Sequence, residues 1–105
     1  MTASAARITA QDVLATLRAH AAELHAAGIW HAALFGSIAR GDAEPGSDID
    51  LAVELDPAAR IDLFTLSALE RRLAELLGRP VDLVPEPVET PRLRANIERD
   101  RLRAF

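Results

Sequence analysis

The chain contains no cysteine and no lysine. The first absence excludes disulfide scaffolds, thiol catalysis and cysteine-based zinc sites. The second excludes Schiff-base chemistry and the lysine-bearing phosphate loop G-x-x-x-x-G-K-[ST], because all 12 basic residues are arginine. Met1 to Ala10 lacks the apolar stretch of a signal peptide, and no apolar run approaches the ~18 residues of a membrane span. A cytoplasmic protein is the expectation. No internal repeat or low-complexity linker interrupts the 105 residues, so a single domain is expected over 1–105, with 1–8 flexible. The net charge of -4 gives no bulk attraction to nucleic acid, and direct nucleic-acid binding is not expected.

What is present suffices for a packed core: 50% of residues are apolar and 27% charged. Thr9 is placed to cap a helix running to about Ala27 and stopping at Gly28, with Val13, Leu17, Ala21 and Leu24 at helical spacing. Ile29 to Phe35 is an apolar run of strand length. Gly36 to Ser47 follows as a loop or short helix, with Pro45-Gly46 as a turn signal. Asp48 to Leu55 alternates and ends at Asp56-Pro57, as a strand does. A second helix is predicted from Asp62 to Leu77, a third strand from Val81 to Val84, and a last helix from the Thr90-Pro91 cap to about Arg103. The order α-β-α-β-α-β-α indicates an α/β domain.

Asp48 and Asp50 lie two apart in a predicted strand, so their side chains share one face, away from Ile49 and Leu51. Aspartate is depleted in strands, and two on one face repel each other. A pair of Mg²⁺ ions about 3.5–4 Å apart would compensate them, since carboxylate oxygens bridge such ions. Taken alone, D-x-D also reads as an exposed strand face or a capped turn. Asp82, between Val81 and Leu83, adds a third acid on the same face if its strand lies beside the second. Without metal, repulsion should then raise at least one of their pKa values. Gly36-Ser37 stands where the first strand ends; glycine permits close backbone approach, and serine offers a hydroxyl and an N–H. An isolated Gly-Ser is equally an ordinary turn.

The whole is more specific than its parts. Gly36-Ser37-Ile38-Ala39-Arg40-Gly41, followed by Ser47-Asp48-Ile49-Asp50-Leu51-Ala52-Val53, resembles the signature of the DNA polymerase β-like nucleotidyltransferases, and within them the minimal nucleotidyltransferase (MNT) group. Ten residues separate Ser37 from Asp48, as in the G-S-x10-D-x-D pattern, and Asp82 falls where the family carries its third carboxylate. The resemblance implies a nucleotidyltransferase core, a small mixed β-sheet flanked by helices. It implies that Gly36 and Ser37 hold the triphosphate of ATP, that Asp48 and Asp50 bind two Mg²⁺, and that Asp82 completes the metal site and helps deprotonate the acceptor. Arg40 is kept with the nucleotide-binding candidates, although pairing with a nearby acid is the favoured role.

Larger relatives carry an added domain for the acceptor, and the stretch after Asp82 is too short for one. The resemblance therefore implies an acceptor on another molecule: in the MNT group, a HEPN-domain toxin whose tyrosine is adenylylated by its antitoxin. The rival readings are a non-catalytic antitoxin module and a small-molecule (antibiotic) nucleotidyltransferase. His20, His25 and His31 form no H-x-x-x-H pair and read as surface or packing residues. The last helix carries five arginines against Glu98 and Asp100, read as a solvated face. Its Leu93 and Ile97 form an apolar stripe for the core or for a docked partner.

Overall fold

The alternation that places Asp50 on one face of its strand places Ile49, Leu51 and Val53 on the other, and these three are wholly buried. A computed structural model of the chain describes residues 8–105, and the following statements concern those residues. The elements are α1 (Ala10–Ala19), α2 (Ala21–Ala26), β1 (Ile29–Phe35), α3 (Ser37–Arg40), β2 (Ile49–Leu55), a 3₁₀ turn (Pro57–Ala59), α4 (Leu63–Leu77), β3 (Val81–Glu86), α5 (Pro91–Asp100) and β4 (Leu102–Arg103). The four strands form one mixed sheet in the order β3-β2-β1-β4. β1 runs antiparallel to β2 and β4, and β2 runs parallel to β3.

One face of the sheet carries Leu34, Leu51, Val53 and Leu83 and packs against Val13 and Leu17 of α1, Leu24 of α2, and Leu69, Leu73 and Leu77 of α4. Burying each such side chain contributes roughly 1.5–3 kcal/mol, which makes this layer the main source of stability. α1 starts in a capping box: the Thr9 hydroxyl accepts from the Asp12 N–H, and the Asp12 carboxylate accepts from the Thr9 N–H, each at 3.1 Å. Asp62 caps α4 by accepting from the Thr65 N–H at 2.8 Å.

The third strand runs on to Glu86 rather than ending at Val84, and two helices depart from the sequence expectation. The first helix breaks at His20, whose φ of -108° and ψ of 16° leave the helical region, and Leu24 of α2 still reaches the core. The last helix ends at Asp100, not near Arg103: Arg101 is extended, and Leu102 and Arg103 add the fourth strand opposite Leu34 and Ala33. Of the two places open to the Leu93–Ile97 stripe, the core takes it: Ile97 is buried against Phe35 and Ala52 on the second face of the sheet, with Leu93 packed on the same cluster. The flexible segment expected over 1–8 lies outside the described residues except for Ile8, which packs against the main core. No helix is long and apolar enough among the described residues to cross a membrane.

Candidate active site

β1 delivers Gly36-Ser37, β2 delivers Asp50, and β3 delivers Asp82. The register brings them together, because Asp50 lies opposite Phe35 on one side and opposite Asp82 on the other. Asp48 stands just before β2, where the Ile49 N–H bonds the Pro80 carbonyl at 2.9 Å and draws the starts of β2 and β3 together.

Gly36 is a steric requirement of this site. Its φ of 85° is left-handed, and a Cβ there would stand 2.5 Å from Oδ2 of Asp50. Any side chain at 36 would therefore displace the carboxylate or distort the turn. Ser37 opens the single turn α3, which closes with Gly41 in the left-handed conformation. Among the described residues nothing bonds the Ser37 hydroxyl, whereas its carbonyl accepts the Asp42 N–H at 3.0 Å.

Electrostatically the acids burden one another, as the sequence predicts. Burial, then the charges of Asp82 and Asp48, push the Asp50 carboxyl above its ordinary value, and Arg40 partly opposes them. Desolvation, then Glu70 and Asp48, push Asp82 up as well. Glu70 was not singled out in the sequence. Its carboxylate accepts the Leu83 N–H at 2.9 Å from α4, a contact that only the tertiary fold creates.

Among the described residues no three acid or imidazole side chains already converge as a metal cage. The donor set nevertheless fits Mg²⁺, which binds through one or two carboxylates, with substrate phosphates and water completing its shell. The raised Asp50 and Asp82 carboxyls mark a place where a divalent cation would relieve repulsion. Arg40 pairs with acids: its Nε donates to Asp42 at 3.2 Å and its Nη1 to Asp100 at 2.8 Å. The three histidines have their partners elsewhere: His25 meets Phe105 edge-on, and His20 and His31 stand beside Glu23 and Glu54.

The model of the nucleotidyltransferase domain matches residues 16–104. The chain belongs to the nucleotidyltransferase family. It is 36% identical over 80 residues to the protein adenylyltransferase MntA of Thermococcus cleftensis, covering 75% of this chain and 79% of that protein. A solved structure described as a candidate minimal nucleotidyltransferase superposes with a TM-score of 0.73 at 31% identity, covering 91% of this chain and 96% of the other. A toxin–antitoxin structure with AMP-PNP superposes with a TM-score of 0.67 at 25% identity, covering 84% and 72%. The nucleotidyltransferase fold and enzyme class expected from the motif are thus borne out.

Proposed function

We propose that this nucleotidyltransferase is a Mg²⁺-dependent protein adenylyltransferase that moves AMP from ATP to a hydroxyl of a HEPN-domain toxin, as the cytoplasmic antitoxin of a toxin–antitoxin pair. The observation that carries the reading is the parallel register that sets Asp50 against Asp82 beside the Gly36-Ser37 turn. The adenylyltransferase name of the Thermococcus relative and the AMP-PNP of the toxin–antitoxin neighbour support the choice of adenine nucleotide and of a protein acceptor.

In this reading the Gly36 and Ser37 backbone and the Ser37 hydroxyl bind the triphosphate, and Arg40 adds positive charge at the same end of the sheet. Asp48, Asp50 and Asp82 would hold two Mg²⁺, which supply charge neutralisation on the phosphates and acidify the attacking hydroxyl. The acceptor oxygen forms a bond to the α-phosphorus of ATP, the bond from that phosphorus to the bridging α–β oxygen breaks, and pyrophosphate leaves. Asp82 takes the hydroxyl proton as the general base. Orientation of the hydroxyl comes from docking of the partner, which favours transfer over hydrolysis. A purely binding antitoxin has no use for acids that repel one another, which favours the enzyme over that alternative.

The test is co-expression with the HEPN-domain protein followed by peptide mapping. AMP on a hydroxyl side chain, absent with Asp50→Ala, is the expected result. Stoichiometric neutralisation of an unmodified partner would establish the binding module instead, and labelling of an aminoglycoside would establish a small-molecule acceptor.

A further inference from the structure

Asp100, at the end of α5, is the buried charged residue among the described residues, its side chain only 3% exposed. Its Oδ2 accepts Arg40 Nη1 at 2.8 Å and Arg99 Nη2 at 3.1 Å, and its Oδ1 accepts Arg99 Nε at 2.8 Å. A buried carboxylate carries a desolvation cost that an apolar side chain of similar size avoids, so general stability is a poor reason for placing one here. What it grips is more informative.

Arg40 belongs to the four-residue turn α3, far shorter than a helix that can sustain itself. The Arg40 backbone N–H donates to the Gly36 carbonyl at 3.1 Å, and the Asp42 N–H donates to the Ser37 carbonyl at 3.0 Å. The Arg40 side chain, in turn, bonds Asp42 and Asp100. One continuous path of hydrogen bonds therefore runs from α5 through Arg40 to Gly36. The same guanidinium acts on the Asp50 charge and remains 40% exposed. We infer that Asp100 is a positioning residue of the nucleotide site, holding Arg40, and through it the Gly36-Ser37 turn, in the shape that receives a nucleoside triphosphate. The inference rests on the function proposed above, since it assigns a support to that site. α5 thus has two tasks: Ile97 covers the sheet, and Asp100 anchors the turn at the edge of the acids.

Two measurements on the full chain test this. The first is amide exchange without nucleotide, native against Asp100→Asn. The Arg40 and Asp42 amides should exchange about tenfold faster in the variant, while amides of α4 keep their native rates. The second is calorimetric affinity for Mg²⁺ with a non-hydrolysable ATP analogue. Asp100→Asn and Arg40→Gln should each weaken binding by about tenfold, and the double variant should bind no more weakly than Arg40→Gln alone. Arg72→Gln, which breaks the surface pair with Glu23, serves as the control and should keep native affinity. If Asp100→Asn does not fold, Arg99→Gln loosens the same carboxylate and should weaken the analogue several-fold. Unchanged affinity in folded variants, or losses that add in the double variant, would overturn the inference while leaving the proposed function standing. A native chain that binds no nucleotide would overturn both.

Discussion

The two faces of β2 differ in what they contribute. Ile49, Leu51 and Val53 on one face are sealed by three helices; Asp50, Ala52 and Glu54 on the other meet α5 and solvent. Stability therefore resides mainly in the first face and the proposed chemistry in the second, one residue apart along the same strand. An acid that would be costly in the centre of a sheet is tolerated because its neighbours on either side are fully anchored. The acid face is the reverse side of the core.

The sharpest way to break that comparison is to truncate each face in turn. Leu51→Ala should cost about 2–5 kcal/mol in denaturant unfolding, through lost burial and the cavity left behind. Its neighbour Asp50→Asn, without metal, should stay within about 1 kcal/mol of the native chain, since it removes a repelled charge and no packing. Equal losses in the two variants would show that the faces are not separated as described.

Gly36→Ala sharpens the comparison at the point where both requirements meet. The strained left-handed backbone should cost about 1–3 kcal/mol. The new Cβ would also push against the Asp50 carboxylate, so nucleotide affinity should fall further than stability alone explains. Calorimetry alongside thermal melting separates the two effects. Native affinity in a folded Gly36→Ala protein would contradict the close approach drawn here.

A smaller effect distinguishes the acids by pH. Asp50 has a raised folded pKa, so it binds its proton more tightly in the folded chain than in the unfolded one. Without metal, the native chain should lose stability as pH rises from the ordinary value of 3.8 through the raised one. Asp100 has the opposite sign: Arg99 and then Arg40 hold it down to about 2 against the cost of burial. Its contribution is complete above 3.8 and is lost as pH falls from 3.8 toward about 2. Melting curves across pH should therefore flatten on the acid side in Asp100→Asn and on the higher-pH side in Asp50→Asn. The same change in both variants would refute the opposed environments. Millimolar Mg²⁺ should raise the native melting temperature by a few degrees and Asp48→Asn should blunt the rise, provided metal binds the folded chain preferentially.

Much of this was legible in the sequence because periodicity reports burial. The alternation around Asp50 and the apolar runs of β1 and β3 mark three of the four strands, and the register sets Asp50 against Asp82 as the spacing allows. What escaped had non-local causes. The two-residue strand β4 is too short to carry a pattern and exists only because β1 offers an edge at Ala33 and Leu34. Glu70 beside Asp82, and Asp100 gripping Arg40, join positions 12 and 60 residues apart, and no local spacing marks them. Arg40 lies within the motif, but the motif does not say which acid it pairs with. Ile97 shows the converse: an apolar stripe on a charged helix announces burial without saying against what, and here the sheet itself covers it.

The central claim is that the acid face transfers a nucleotidyl group, and the position of a label in ATP tests it directly. The chain, the proposed HEPN-domain partner and Mg²⁺ would be incubated with ATP labelled either at the α-phosphate or at the γ-phosphate. The account predicts that α-label enters the partner, that γ-label leaves as pyrophosphate, and that Asp50→Asn abolishes both. Incorporation of γ-label, or α-label transfer that survives Asp50→Asn at the native rate, would contradict it.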